Sequence, residues 1–488
     1  MATLKIDTNK KHKISPYLYM QFMEPLGVAD ASVDAAWDFV ENDWFPEVID
    51  KVRELGPTMV RFGGCFASYY HWQEAIGPMK DRVPMVNYAW SGLYHNRVGT
   101  HEFLDFCRRV NAEPLIVANM ESEGLDFWQH PKNDTVRMGT AAEAAAWVDY
   151  CNNPNNAQRI ANGAEQPFGV KYWQVGNETS YRTVGYRNTE RHCGFTAEGC
   201  YETTQRFAAA MRQADPSIKL IGWGDNKAAH DGANWCKTMS EADVDMIAFH
   251  HHFGSGLENS PLRGTEYRDN YECTWIHLMH AHKSLDSHIS LMRENCGNKR
   301  LAMTEGHFML PGRNRNEVLS SWGAGVAYAR CLNTIMRHSD VLDIATMADF
   351  FGNVWQVNAL MLPTPIRAGK PYLQPVGAVM SLFGHHQGEY ALDAAIKDSV
   401  DVVASATGDT VYLHVANTDM RRDKEIELDL GGKTIESIDV YYIAENPATE
   451  ITPVNTDVFA VKHTAVDGNR FTLPRAAVAA VEIKLKKD

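Results

Sequence analysis

Lys171-Tyr172-Trp173-Gln174-Val175-Gly176-Asn177-Glu178 is an apolar-rich run that stops at a glycine and then presents an amide and a carboxylate. A parallel barrel places its working side chains in this way, at the C-terminal tips of its strands. Leu301-Ala302-Met303-Thr304-Glu305-Gly306-His307-Phe308 is built alike, with Glu305 at the end of a short apolar stretch. Working outward from these, the strand candidates are Tyr17–Met23, Thr58–Phe62, Pro114–Asn119, Val170–Val175, Lys219–Trp223, Val244–His250, Leu301–Glu305 and Asp343–Met347. Helical patterns separate most of them, at His101–Val110, Ala141–Cys151, Ala197–Arg212, Tyr271–Cys296 and Val318–Arg337, with Thr100 read as an N-cap. Strand–helix alternation repeated eight times over about 330 residues predicts an α/β fold, a (β/α)8 TIM barrel, spanning residues 13–370. A doubly wound open sheet is the competing reading. It usually brings a Gly-rich nucleotide loop, and the sequence has none.

The pattern changes after about residue 370, where short alternating runs replace strand–helix units. They are Val402–Ser405, Val411–Val415, Ile426–Leu430, Ile438–Tyr442 and Val478–Ile483, punctuated by turns such as Asp429-Leu430-Gly431-Gly432 and Asp467-Gly468-Asn469. Residues 371–488 therefore read as a C-terminal antiparallel β-sandwich. The run Thr3–Asp7, within residues 1–12, is also strand-like and is expected to join it.

A chain of 488 residues is long enough for a barrel plus a second domain. A net charge of -14 argues against nucleic acid or an anionic membrane as partner. The nine cysteines include no Cys-x-x-Cys pair, and an odd number cannot all pair internally, so reduced thiols in a reducing compartment are expected. Met1-Ala2-Thr3-Leu4-Lys5-Ile6 has no apolar signal core, and no later run is long enough to span a bilayer, which makes a cytoplasmic location the expectation.

If Glu178 and Glu305 end strands four and seven of one barrel, they face each other across its mouth. Two opposed carboxylates suit glycosidic bond cleavage, in which one donates a proton and the other attacks or activates water. A gap of about 5 Å implies retention, and a wider one inversion. His250 and His252 share one face of their strand, so a metal-dependent hydrolase is a second reading. No carboxylate or third His stands at fixed ligand spacing, and no metal or cofactor is expected.

The chain also resembles the retaining glycoside hydrolases that carry Asn-Glu on strand four and Glu on strand seven. Within them it resembles family 51, the α-L-arabinofuranosidases, over nearly its whole length. Tyr172-Trp173-Gln174-Val175-Gly176-Asn177-Glu178 is the most specific segment. Ile14–Gly27 resembles the family's first strand, Arg61–Trp72 with Ile76-Gly77-Pro78 its Arg-x-Pro-Gly-Gly-Asn-Phe segment, Gly99–Phe103 its Gly-Thr-x-Glu-Phe, and Trp147–Asn152 its Trp-Val-x-Tyr-Cys-Asn. The resemblance implies that Glu178 is the acid/base, Glu305 the nucleophile and Asn177 a partner of the sugar 2-hydroxyl. It implies that Glu24 bonds ring hydroxyls, Arg61 holds the nucleophile ionised and Gln356 reaches the sugar. It further implies an arabinose-containing oligosaccharide or polysaccharide as substrate; a homo-oligomer is also expected.

Four departures surround the sugar site. Cys65 stands where the family has a sugar-binding Asn, and Phe62-Gly63 replaces an aromatic-Pro pair. Gly306 replaces a Trp, which is expected to widen that wall, and the His250-His251-His252 run replaces a His followed by aromatics, with His250 and His252 expected at the substrate and His252 in place of a Tyr beside the nucleophile. They keep open another furanoside, such as galactofuranoside or a second pentofuranoside, or a β-xyloside. A non-catalytic sugar-binding protein is the remaining class. Trp72, Trp128, Trp223 and Trp355 are candidate sugar platforms, with core packing the equal alternative. Trp275 and His282 read as surface or cleft lining.

Overall fold

The computed structural model describes residues 2–27, 32–87, 90, 92–120, 139–180, 195–227, 229, 231–312 and 316–487. Its centre is an 8-stranded parallel sheet in chain order. The strands are β1 (Gln21–Met23), β2 (Met59–Phe62), β3 (Glu113–Ala118), β4 (Tyr172–Val175), β5 (Lys219–Trp223), β6 (Met246–Phe253), β7 (Arg300–Phe308) and β8 (Leu342–Ala345). The ring closes through a bridge between Tyr17 and Ile344, with the Met20 N–H donating to Ala345 O and the Ala345 N–H to Tyr17 O. The barrel predicted from the alternating pattern is present, and the open sheet is excluded.

A helix follows each strand: Pro46–Leu55, Thr100–Val110, Ala141–Asn152, Ala197–Ala214, Trp235–Ser240, the pair Tyr271–His280 and His282–Asn295, Trp322–Arg337, and Pro375–Gly384. Each packs an apolar stripe on the sheet. In Pro46–Leu55 the stripe is Val48, Ile49, Val52 and Leu55, each contributing about 2 kcal/mol on transfer from water. The cap of the second helix is Gly99 rather than Thr100: the Glu102 carboxylate accepts the Gly99 N–H at 2.9 Å. Thr100 is buried one residue inside, where its hydroxyl accepts from Trp147 Nε1 at 3.0 Å.

The C-terminal domain is a 9-stranded sheet wrapped around its own core of Leu413, Val415, Ile426, Ile438, Phe471 and Val481 among others. The N-terminal strand Ala2–Asp7 sits inside this sheet, antiparallel to Tyr390–Ala395 and parallel to Lys424–Asp429. That parallel pair is the exception to an otherwise antiparallel arrangement. The first sandwich strand after the barrel begins at Tyr390, and Pro375–Gly384, which a boundary near residue 370 assigns to the sandwich, is the helix that follows β8.

The two domains are locked together. Helix Trp322–Arg337 is buried on nearly every side, as its Gly323, Ala324, Gly325, Ala327 and Ala329 allow. Its Arg330, Asn333 and Arg337 converge on Asp401 of the sandwich. Trp275 belongs to the same seam, its Nε1 donating to Thr418 O, and His282 contacts Arg330 there, so neither lines a cleft. Among the described residues no cysteine is paired, Cys193 lying outside them, and no helix is long and apolar enough to cross a membrane.

Candidate active site

The Gly176 and Glu178 backbones carry the turn after β4. Both are left-handed, with φ of 76° and 55°. A Cβ at 176 would meet Met120 Sδ at 2.6 Å, so glycine is needed there. A glutamate in this conformation is strained by roughly 1 kcal/mol, a cost concentrated at sites where side-chain aim matters. On the facing side, Phe249 pairs with Met303 but His250 pairs with Glu305, so Thr304 is an extra residue in β7. This bulge sets Glu305 beside His250 at the barrel mouth.

One oxygen of Glu178, one of Glu305 and a ring nitrogen of His250 lie within 4.8 Å of one another. His250 Nδ1 is 2.8 Å from Glu178 Oε1 and 3.6 Å from Glu305 Oε2, and its Nε2 is 3.0 Å from Thr304 Oγ1. Burial pushes His250 down to about 3, so the ring is neutral. With both carboxylates at Nδ1, the proton belongs there, and Nε2 accepts from Thr304.

Arg61, fully buried at the end of β2, donates Nη1 to Glu305 Oε1 at 2.9 Å, Nε to Gln174 Oε1 at 3.0 Å and Nη2 to Asn177 Oδ1 at 2.6 Å. Asn177 is thereby oriented with its amide nitrogen left to donate. Burial pushes Glu178 up to about 7, against the opposing pull of Arg61. Burial also raises Glu305, with His250 and Arg61 opposing. Arg61 touches Glu305 and not Glu178, so within the pair the proton resides on Glu178. Glu178 is also the more accessible, its side chain 21% exposed against 8% for Glu305.

The raised Glu178 has a stability consequence. Its folded value lies above the usual carboxyl range, so its contribution is fully present below that range and is lost as pH rises through about 7. Glu178→Gln is expected to raise Tm relative to the parent at about pH 8 and much less at about pH 5, measured by calorimetry.

The remaining sequence candidates fall around this pair. Glu24, after β1, accepts from Trp90 Nε1 at 2.8 Å and from the Phe66 N–H at 3.3 Å. Burial, then Glu305, hold it well above the usual carboxyl range. A side chain at Gly64 would overlap Glu24 Cδ at 2.3 Å, which explains the glycine there. The Cys65 thiol, pushed up by burial, points at Glu178 Oε2 from 3.8 Å. His252 Nε2 is buried without a hydrogen-bond partner, 3.8 Å from Glu305 Oε2. Gln356 Oε1 is likewise buried and unpartnered, beside Trp355.

Two expectations change. Gly306 does not widen the wall: its Cβ would meet the Thr346 carbonyl at 2.7 Å, because β8 runs close against β7 there. The inward space is filled by the next residue, His307, whose ring lies 4.5 Å from that of His252 and 3.5 Å from Asp349 Oδ1. Of the tryptophans, Trp72 is core, stacked on Trp147, and Trp223 is fully buried against His250. Trp355 is half-buried and packs edge-on against Trp90 beside Glu24. Trp128 lies outside the described residues. Trp90 and Asp349 went unread in the sequence, and Thr304 and His307, though inside the quoted Leu301–Phe308 run, were given no role there. Among the described residues the one group of three side chains able to share a metal ion is Glu178, His250 and Glu305.

A (β/α)8 barrel with opposed glutamates at the tips of β4 and β7 is an arrangement that glycoside hydrolases use. Residues 51–272 match the alpha-L-arabinofuranosidase 1 domain and residues 309–477 the alpha-L-arabinofuranosidase C-terminal domain. The chain belongs to the family-51-like α-L-arabinofuranosidases. An intracellular exo-alpha-(1->5)-L-arabinofuranosidase of Acetivibrio thermocellus is 30% identical over 52% of this chain and 49% of its own length. The match therefore spans about half of that relative. An intracellular exo-alpha-(1->5)-L-arabinofuranosidase 1 of Bacillus subtilis is 24% identical over 77% of this chain and 74% of its own. The arabinose complex of an alpha-L-arabinofuranosidase from Thermotoga maritima superposes with a TM-score of 0.76 at 22% identity, covering 99% of this chain and 100% of that one.

Proposed function

We propose that this protein is a retaining, exo-acting hydrolase that removes terminal non-reducing α-L-arabinofuranosyl residues from arabinose-containing oligosaccharides or polysaccharides. The observation that carries the mechanism is the separation of the two carboxylates, with oxygens within 4.8 Å. That gap suits direct attack by a carboxylate and is too short to hold an attacking water between them. Glu305 attacks the anomeric carbon as the glycosidic oxygen takes the proton from Glu178. A glycosyl ester on Glu305 results. Glu178, now a carboxylate, takes a proton from water, whose oxygen attacks the same carbon and releases Glu305. Asn177, oriented by Arg61, donates to the sugar 2-hydroxyl, and Glu24, His252 and Gln356 present further polar atoms to the ring. The relatives' names support the choice of arabinofuranoside and an intracellular location. A homo-oligomer is part of the proposal and is read by sedimentation.

The decisive test follows the proton. Glu178→Ala is expected to slow substrates with poor leaving groups by roughly 10³-fold and activated aryl glycosides far less, since only the former need the acid. The parent kcat/KM is expected to follow a bell, falling as pH rises through about 7 as Glu178 loses its proton. An alkaline limb that survives in Glu178→Gln on an activated substrate overturns the acid/base role.

The Cys65 position is tested by kcat/KM ratios across p-nitrophenyl α-L-arabinofuranoside, β-D-galactofuranoside and β-D-xylopyranoside. An amide there adds a donor that a thiol supplies weakly, so Cys65→Asn is expected to change those ratios by roughly tenfold. Unchanged ratios would remove Cys65 from substrate selection. A metal-dependent hydrolase predicts loss of activity in chelator, whereas the proposed mechanism predicts unchanged rates. Excess zinc is instead expected to inhibit, because an ion held by Glu178, His250 and Glu305 blocks both carboxylates.

A further inference from the structure

Behind the acid/base lies a buried chain of polar groups that the reaction itself does not use. Asp225, just beyond β5, is completely buried. Its Oδ1 receives the Lys227 N–H at 2.8 Å and its Oδ2 the His250 N–H at 3.3 Å. The same Oδ1 stands 2.9 Å from Nε2 of His288, which is 2% exposed on helix His282–Asn295. His288 Nδ1 in turn stands 3.0 Å from Nδ1 of His251, and His251 Nε2 is 3.3 Å from Ser284 Oγ.

Lys227 Nζ is 3.5 Å from His251 Nδ1, and the Ser284 hydroxyl lies between His251 Nε2 and Ala281 O, the latter at 3.1 Å. Burial lowers His251 well below the usual histidine range, so its ring is neutral. The Asp225 carboxylate accepts from His288 Nε2.

We propose that Asp225 is a positioning residue for the acid/base: hydrogen-bonded to His288, it anchors β6 at His250 and sets a negative charge behind Glu178. The inference rests on Glu178 acting as the acid/base. His250 hangs from the backbone N–H that Asp225 holds, and its ring meets Glu178 at 2.8 Å. Asp225 also acts through space, its charge favouring the protonated form of Glu178. Among the described residues, the other groups facing Glu178 are Arg61 from β2, Cys65 from just beyond it, His250 from β6, and Glu305 and His307 from β7. Those facing Asp225 include Lys227, His288, Cys236, His250 and Glu178.

The test is the pH profile of kcat/KM for the full chain at low ionic strength. Asp225→Asn removes the charge and is expected to move the alkaline limb to lower pH by roughly half a unit or more. Lys227→Met, at an exposed side chain that folding tolerates, is expected to move it upward by less. A structural role alone lowers kcat and leaves the limb in place. An unmoved limb in Asp225→Asn and Lys227→Met, or shifts of one sign in all variants, overturns the proposal. Persistence of the limb in Glu178→Gln instead overturns the acid/base assignment beneath it.

Discussion

Glu305→Gly is expected to lose turnover by on the order of 10⁵-fold while the chain stays folded. In the proposed mechanism no other described carboxylate replaces it: Glu24 is held by Trp90 and Phe66, and Glu178 serves the leaving group. The variant leaves Arg61 buried without its counter-charge, a loss of roughly 3 kcal/mol. Arg61 keeps Gln174 and Asn177, so the loss falls on stability more than on geometry. Azide supplies both missing elements, an anion beside Arg61 and a nucleophile small enough for the vacated space. Product analysis should show a glycosyl azide of inverted configuration. Full activity without azide would end the nucleophile assignment.

Arg61→Met is expected to be the most damaging substitution outside the carboxylate pair. It strips a donor from Glu305, Gln174 and Asn177 at once, all of them buried. The protein is expected to lose roughly 3–5 kcal/mol in urea unfolding, because one partner of a buried ion pair is left alone. The reaction suffers separately. Burial already raises Glu305, and Arg61 is one of the groups opposing it. Without the guanidinium Glu305 keeps its proton to higher pH. In the proposed mechanism it works ionised, so activity is expected to fall as pH drops through its value, and the acid limb of the bell to move upward. Arg61→Lys is expected to restore part of the stability and little of the activity, since one ammonium cannot match a fork aimed at three acceptors. An acid limb that stays in place in Arg61→Met would leave Arg61 a structural residue only.

The strands and the two glutamates were legible because their signals are local. An apolar run closed by Gly176-Asn177-Glu178, or ending in Thr304-Glu305-Gly306, marks a strand tip within eight residues of chain. Reading the Gly-Thr start as an N-cap at Thr100 found the helix but misplaced its cap by one residue. The Glu102 carboxylate reaches back to the Gly99 N–H, and Thr100 is drawn inward by Trp147, a partner 47 residues away. The same distance problem hid Trp90, which closes on Glu24 from a loop with no pattern of its own.

By itself the sequence determined the barrel, the sandwich and the identity of the carboxylate pair, through periodicity, punctuation and the composition of strand ends. Tertiary structure alone decided what surrounds that pair. Gly306 reads as an opened wall until β8 is seen to lay the Thr346 carbonyl against it, and His307 is seen to fill the inward side. Asp225, His251 and His288 are unremarkable in the chain and become one hydrogen-bonded unit only when β6 packs on helix His282–Asn295. Periodicity records which face of a strand is buried. The partners a buried polar group finds depend on which strand and helix arrive beside it, and that is set by the closure of the whole barrel.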